Sequence, residues 1–402
     1  MTALPLTHFT ATSCIGGGLA ATLDSLLERR SGLAPCAFET VRLQTHLGEV
    51  PGVDEVRVPP GLERFDSRNN RLALLGLSQD GFIEAVAGCA ARWGRRRIGL
   101  FLGTSTSGIL ETEIAYRRRG PSGALPPQLD YAATHNPYSL AAFVGRVLGI
   151  EGPSAVTCTA CSSSAKVFGS AQRMIEAGLI DAAVVGGVDS LCLTTLYGFH
   201  SLQLISRQPC RPFDAARDGI SIGEAAAFAL IERPPGERRA GQILLTGIGE
   251  SSDAYHMSSP HPEGLGARAA MRQALEAARL APRDIDYINL HGTGTPSNDS
   301  AEGRAVSALF GAGIAASSTK GATGHTLGAA GALEAVICAL ALRHGLMPGG
   351  LNTTAVDPDL PLAYLTENRP AALARVLTNS FGFGGSNCAL LLERLGAERP
   401  HA

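Results

Sequence analysis

Cys161 stands in the stretch Thr157-Cys158-Thr159-Ala160-Cys161-Ser162-Ser163-Ser164-Ala165. Upstream, Gly152-Pro153-Ser154-Ala155-Val156 reads as a turn and a short strand. Downstream, Ser162 to Gly178 carries apolar residues at Ala165, Val167, Phe168, Ala171, Met174 and Ile175, which is the period of a helix. The cysteine therefore sits at a strand-to-helix corner, where the first helical amides lack intrahelical partners and carry the positive end of the dipole. That dipole is worth about 0.3–2 kcal/mol, enough to bring a thiol from about 8.5 toward about 7 and make it a nucleophile. Two plainer readings stand beside this one. A cysteine is more often a small buried hydrophobe, and Cys158 with Cys161 has Cys-x-x-Cys redox spacing, although the residues between do not resemble a thioredoxin unit.

Three further stretches could join it. His291-Gly292-Thr293-Gly294-Thr295-Pro296-Ser297-Asn298-Asp299 follows a strand read over Ile285 to Leu290, so the histidine lies at a strand's carboxyl end, where α/β proteins keep their chemistry. Lys320-Gly321-Ala322-Thr323-Gly324-His325 leads into a Gly- and Ala-rich helix. Asn379-Ser380-Phe381-Gly382-Phe383-Gly384-Gly385-Ser386-Asn387 is a glycine-dense turn between two strands. Each alone has an ordinary structural reading, as a core histidine, a surface cation or a tight turn.

The elements that must position them alternate. Strands are read at Pro5–Thr12, 97–102, 181–187, Ile243–Ile248, Val376–Ser380 and Cys388–Leu392. Helices are read at 20–29, 70–91, Leu265–Leu280, Ser300–Phe310 and 327–343. The run Ile15-Gly16-Gly17-Gly18 lacks a full phosphate-binding fingerprint and reads as a turn. Near Pro234 to Gly241 the composition shifts to Pro, Gly, Glu and Arg, and the pattern restarts. This divides the chain into residues 1–240, with the nucleophile, and 241–402, with the two histidine motifs.

Composition bounds the class. With 45% hydrophobic and 17% charged residues, the 402-residue chain can bury a large core and is not disordered. A net charge of −2 gives no global reason to bind nucleic acid, despite local clusters at Arg64, Arg68 and Arg71, at Arg95–Arg97 and at Arg117–Arg119. Nine scattered cysteines form neither a disulfide framework nor a metal-ligand pattern, which fits a reducing cytoplasm. The start has no signal core, and the apolar run Ala329 to Leu342 is too short to span a membrane and contains Glu334.

Taken together and in this order, Thr159-Ala160-Cys161-Ser162, His291-Gly-Thr-Gly-Thr-Pro, Lys320 with Gly324-His325, and Asn379-Ser-Phe-Gly-Phe-Gly-Gly-Ser-Asn resemble the β-ketoacyl-[acyl-carrier-protein] synthases, the elongating condensing enzymes. Gly152-Pro153-Ser154, Arg211-Pro212-Phe213-Asp214 and Arg217-Asp218-Gly219 also match, so the resemblance covers nearly the whole chain. It implies an α/β fold of thiolase-like type, a duplicated α-β-α-β-α layering with two mixed sheets.

The resemblance assigns roles as well. Cys161 would take an acyl chain as a thioester, and His291 and His325 would hydrogen-bond the enolate formed when malonyl-carrier protein loses carbon dioxide. The amides of Cys161 and Phe383 would form the oxyanion hole, with Phe383 gating the acyl pocket. Asp299 and Glu302 would contact Lys320, with Glu334 nearby, in a network that orients His291. Thr293 and Thr295 would hold the phosphopantetheine arm of an acyl carrier protein, with no other cofactor. That acidic partner would dock on Arg64 and Arg68, then on Arg117 to Arg119, and the enzyme would be a homodimer or a heterodimer with a chain-length factor.

Some residues depart from the housekeeping pattern. Leu6-Thr7-His8-Phe9-Thr10 lacks the valine-rich strand of fatty-acid enzymes, and Thr104-Ser105-Thr106-Ser107 is hydroxyl-rich where relatives often place Gly or Ile beside the acyl pocket. A polyketide-like route such as aryl polyene synthesis therefore stands beside fatty-acid elongation. A degradative thiolase would need a second catalytic cysteine, and Cys388, inside an apolar strand, does not suit.

Overall fold

A computed structural model describes residues 2–397 apart from 235, 237, 238 and 361. Five strands, beside the two-residue strand Gly16–Gly17 that pairs with the end of the first, build one half of the main sheet: β1 (Leu4–Ser13), β2 (Ile98–Gly103), β3 (Ser154–Thr157), β4 (Ala182–Asp189) and β5 (Ala225–Glu232). The other half holds β6 (Ile243–Ser252), β7 (Tyr287–Asn289), β8 (Ala315–Ser317), β9 (Ala363–Tyr364), β10 (Arg375–Gly382) and β11 (Ser386–Arg394). Their order in space is β9-β8-β7-β10-β11-β6-β1-β5-β4-β2-β3. Outward from the centre, both halves thus run first, last, fourth, second and third strand in chain order, with β9 an added edge. In each half the fourth, second and third strands are parallel and the last is antiparallel to the fourth.

The two mixed sheets expected from the sequence run into one another. β1 and β6 pair antiparallel at Leu4↔Leu245, Pro5↔Leu244 and Leu6↔Ile243, making one continuous ladder. The segment read as a linker, Pro234 to Gly241, includes Pro235, Glu237 and Arg238, which lie outside the described residues.

Helices layer both faces. α1 (Arg68–Leu77) and α2 (Phe82–Trp93) cover the first half, α3 (Ser163–Glu176) leads from the Cys161 corner, and α4 (Leu265–Ala278) and α5 (Pro296–Phe310) cover the second half. The last, α6 (Ala330–His344), is buried at every position from Ala330 to Leu342. A helix apolar all round belongs inside, and α6 packs with α3 in one core shared by both halves.

Two expectations change here. The single helix read over 70–91 is two, bent by 74°, because Asp80 and Gly81 adopt φ of 54° and 66°. The Asp80 carboxylate is committed elsewhere, accepting the Leu19 N–H at 3.0 Å and the Thr10 hydroxyl at 2.7 Å. The apolar run before the C-terminal strands also extends further than read: with its initial 3₁₀ turn it spans Leu327–His344, 18 residues, long and apolar enough to cross a membrane, yet 89% of it is buried inside the protein.

Arg68 departs from its expected place on an exposed docking face. Its side chain is 3% exposed. The guanidinium donates to Glu224 at 2.7 and 3.0 Å, to Asp54 at 2.9 Å and to Glu49 at 3.1 Å. Glu224 is fully buried, and a buried carboxylate requires such a partner. Arg64 is exposed and pairs with Asp130 at 2.8 Å, and Arg117 pairs with Glu39 at 3.1 Å.

Candidate active site

The Cys161 corner is fixed locally. β3 ends at Thr157, and Ala160 turns the chain with a φ of 51°. The serine run then bonds back onto the backbone: Thr159 N–H donates to Ser163 Oγ at 2.9 Å, Ser162 Oγ to the Thr159 carbonyl at 2.9 Å, and Ser163 Oγ to the Ala160 carbonyl at 2.6 Å. Ser, unlike Ala, satisfies such corner groups. Gly382, before Phe383, packs against this corner so closely that a Cβ there would lie 2.6 Å from the Thr159 carbonyl oxygen.

His291 is held from a distance. Glu302 on α5 accepts the N–H groups of His291 and Gly292, each at 2.8 Å, and the Asn379 amide at 3.0 Å. Asp299, one turn earlier, accepts the N–H groups of Phe213, Thr293 and Gly294 at 2.8, 3.1 and 3.2 Å. The expected contact of Asp299 and Glu302 with Lys320 is therefore not made. The first two turns of α5 point both carboxylates at the orphan amides of the His291 loop, which otherwise would be buried unpaired. Lys320 Nζ instead pairs with Glu334 on α6, donates to the His291 carbonyl at 2.5 Å and lies 3.4 Å from His291 Nδ1. An ammonium can only donate, so Nδ1 is the accepting nitrogen and Nε2 carries the proton.

His325 is strapped between Ser221 and Gly223, its N–H donating to the Ser221 carbonyl at 2.7 Å and its carbonyl accepting the Gly223 N–H at 3.0 Å. This brings Nε2 to 3.0 Å from Cys161 Sγ. The two histidine rings meet edge to face, centroids 5.2 Å apart. Cys161, His291 and His325 border a cavity that Phe383, Thr293 and Thr295 also line. Phe199 packs on Phe383 with ring centroids 5.5 Å apart, and the two threonine hydroxyls lie 2.9 Å from one another.

Burial sets the charge state. It pushes the Cys161 thiol up to about 11, against the pull of the Lys320 cation and the Phe383 N–H, while the Asp189 charge pushes it higher. The thiolate favoured by a helix dipole is thus not the resting form, because desolvation exceeds what one helix terminus supplies. Burial, and then Lys320, hold both histidines well below their ordinary value, with His325 adding to the effect on His291. The trio rests as a neutral thiol beside neutral imidazoles. Burial also raises Glu302 and Glu334 to about 7.

Among the described residues, Cys161, His291 and His325 are the group close enough to share a metal ion, their donor atoms lying within 4.8 Å of one another. The Lys320 ammonium beside His291 opposes a dication there and favours proton chemistry. Cys158 is exposed and Cys161 buried, both as free thiols, and Cys388 is buried in β11, where it does not line the cavity. The sequence reading missed Asp189 and gave Asn379 no role. A carboxylate just beyond the expected end of a strand, facing a hydroxyl-rich loop, was the available signal for Asp189.

The N-terminal domain of β-ketoacyl synthases matches residues 77–235, and their C-terminal domain matches residues 243–354. The mitochondrial 3-oxoacyl-[acyl-carrier-protein] synthase of Arabidopsis thaliana is 40% identical over 261 residues, 60% of this chain and 57% of that protein. The 3-oxoacyl-[acyl-carrier-protein] synthase 2 of Staphylococcus aureus (strain COL) is 32% identical over 314 residues, 75% and 76% of the two chains. Among solved structures, the ketosynthase ApeO in complex with its chain length factor ApeC from Xenorhabdus doucetiae superposes with a TM-score of 0.89 at 38% identity, covering 98% of each chain. With both domains matched around one thiol and two histidines, the chain belongs to the β-ketoacyl synthase family.

Proposed function

We propose that this chain is an elongating β-ketoacyl-acyl-carrier-protein synthase with Cys161 as its acyl acceptor. The observation that carries the reading is the 3.0 Å approach of His325 Nε2 to a buried Cys161 Sγ, with His291 alongside. In the first step Sγ attacks the thioester carbonyl of the acyl-carrier protein. His325 Nε2 receives the thiol proton and passes it to the departing pantetheine sulfur, leaving the acyl group on Cys161. Malonyl-carrier protein then loses carbon dioxide, and the enolate oxygen accepts hydrogen bonds from His291 Nε2–H and from His325 in its Nε2–H tautomer. The carbanion attacks the Cys161 thioester, the amides of Cys161 and Phe383 hold the oxyanion, and collapse leaves a chain two carbons longer on the carrier protein and expels the Cys161 thiolate, which takes up a proton from solvent.

Lys320 keeps His291 in its Nε2–H form, while Glu334 neutralises the cation. Glu302 and Asp299 hold the His291 loop in place. Thr293 and Thr295, on the cavity wall, suit the amides of a phosphopantetheine arm, so carrier-bound substrates suffice without a further cofactor. The repeated strand order supports division of the chain at residues 1–240 and 241–402. Nine free cysteines fit a reducing cytoplasm. A second reading, that the chain works as one half of a heterodimer with a chain-length factor, is favoured by the likeness to a ketosynthase in that state.

Intact-protein mass spectrometry of wild type and Cys161→Ala, incubated with carrier proteins bearing saturated, polyunsaturated or aryl-primed chains, tests the reading. A wild-type adduct is expected, with loading in the variant lowered at least about 1,000-fold. The preferred chain decides between fatty-acid and polyketide-like elongation. Loading that survives in Cys161→Ala refutes the nucleophile. Full activity of the chain by itself would count against the heterodimer.

A further inference from the structure

One buried carboxylate beside the cavity has no part in the steps above. Asp189 ends β4 and is fully buried. Its Oδ1 accepts Thr104 Oγ1 at 2.6 Å, Ser105 N–H at 2.7 Å, and Thr106 N–H and Oγ1 each at 2.9 Å. Its Oδ2 accepts the Gly328 N–H at 2.5 Å. The hydroxyl-rich loop after β2 is thereby explained: Thr104 and Thr106 turn onto this carboxylate, Ser107 onto the carbonyls of Thr134 and Asn136, and Ser105 onto the Ala160 carbonyl at 3.4 Å. None of the four lines the cavity. The hydroxyls of Thr104 and Thr106 serve a buried anion and those of Ser105 and Ser107 serve backbone carbonyls, which says nothing of a polar acyl chain.

The carboxylate joins the segments that carry the groups of acyl transfer. Gly328 begins the path from His325 into α6, and a Cβ there would lie 2.8 Å from Asp189 Oδ2 and 2.6 Å from Ser105 Oγ, so the approach requires glycine. Ser105 in turn touches Ala160, the left-handed residue that precedes Cys161. Three of the donors are backbone N–H groups, which cannot accept, so the ionised form satisfies the site.

We propose that Asp189 is a positioning residue for acyl transfer: its carboxylate ties the Thr104–Ser107 loop to the turn that carries His325 and, through Ser105, to the corner that carries Cys161. This rests on Cys161 as the acyl acceptor. The charges and protons facing the Cys161 sulfur come from Lys320, His291, His325 and Asp189, and Asp189 supplies the negative one. Cys158 and Cys192 feel the same charge. Asp189 therefore also favours the protonated thiol until His325 takes its proton.

Asp189→Asn in the full chain tests this. The amide keeps the size but sets an NH₂ among donors, and single-turnover acyl transfer to Cys161 is expected to slow about 10- to 100-fold. Alkylation of Cys161 by iodoacetamide, resolved by peptide mass spectrometry, is expected to shift to lower pH, because the negative charge beside the thiol is gone. A slowed rate with an unmoved alkylation profile is the mark of lost packing alone and would overturn the proposal, as would wild-type behaviour in both. Should Asp189→Asn not fold, the double variant Thr104→Val with Thr106→Val keeps the charge and removes two donors. Acyl transfer there is expected to slow about 3- to 30-fold, and wild-type speed overturns the proposal. Wild type is scored first: if its Cys161 takes no acyl chain the functional reading fails, and the alkylation profile, which needs no acyl donor, still reads Asp189.

Discussion

The loops that follow corresponding strands in the two halves of the sheet do different work. After β7, β8 and β10 come His291, then Lys320 and His325, then Phe383; after the matching β2, β3 and β4, the last of which ends in Asp189, come the Thr104–Ser107 loop, Cys161 and the segment that carries Phe199, Leu204 and Ile220. In the second half all three loops reach the cavity, whereas in the first the Thr104–Ser107 loop does not, and the segment after β4 lends only apolar wall beside Cys161. The means of support differ too. Cys161 is fixed by hydroxyl-to-backbone bonds within its own corner, while the His291 loop hangs on carboxylates of α5 and its side chain on a cation braced by α6. A nucleophile needs one well-aimed atom, but a carbanion and two oxyanions need several donors held against repulsion. A symmetric scaffold thus carries an asymmetric division of labour.

The contrast can be broken most forcefully at Lys320. Lys320→Ala leaves Glu334 buried without its cation and is expected to cost about 3–5 kcal/mol of stability, read as a lowered midpoint in denaturant. Glu334→Gln, which keeps an acceptor for the ammonium, should cost less. An alanine variant as stable as wild type would mean that the second half does not depend on this pair. Glu302→Gln comes next: placing an NH₂ against the His291 and Gly292 amides should cost about 1.5–3 kcal/mol and slow malonyl decarboxylation more than acyl loading. Equal slowing of both steps would erase the distinction between the halves. The smallest effect is expected from pH. Both histidines are held well below 6.5, so they stay neutral as pH falls through that value, and their ring NMR resonances should not shift there, whereas kcat/KM for decarboxylation can bend near 7 through Glu302 and Glu334. A ring resonance that shifts near 6.5 would place an ordinary, solvated imidazole in the site.

Much of this was legible in sequence because periodicity and strand-end motifs are local. Cys161, His291, His325 and Phe383 do converge at one cavity, with Lys320 behind His291, as the order of motifs implied. What was not legible is what depends on partners distant in the chain. Arg68 reads as a surface cation at helical spacing, and only the fold brings Glu224 to it. Asp299 and Glu302 share a helix face, but whether they meet a lysine or a set of backbone amides is decided by how α5 docks. The strand Ala225–Glu232 went unread because alanine-rich sequence has no period-two signal when both faces are buried. The thiol's charge state was misjudged for the same reason: the helix terminus is visible in sequence, and the depth of burial is not.

The pairing of β1 with β5 and β6 also dictates an order of assembly. Leu4–Ser13 meets the two-residue strand Gly16–Gly17 at once, but its main neighbours lie at residues 225–232 and 243–245, near the middle of the sheet. At a synthesis rate of about 5–20 residues per second, this segment waits on the order of 10 to 50 s for those strands to be made. Pairings so distant in the chain make for slow folding, and until they form the centre of the sheet stays open.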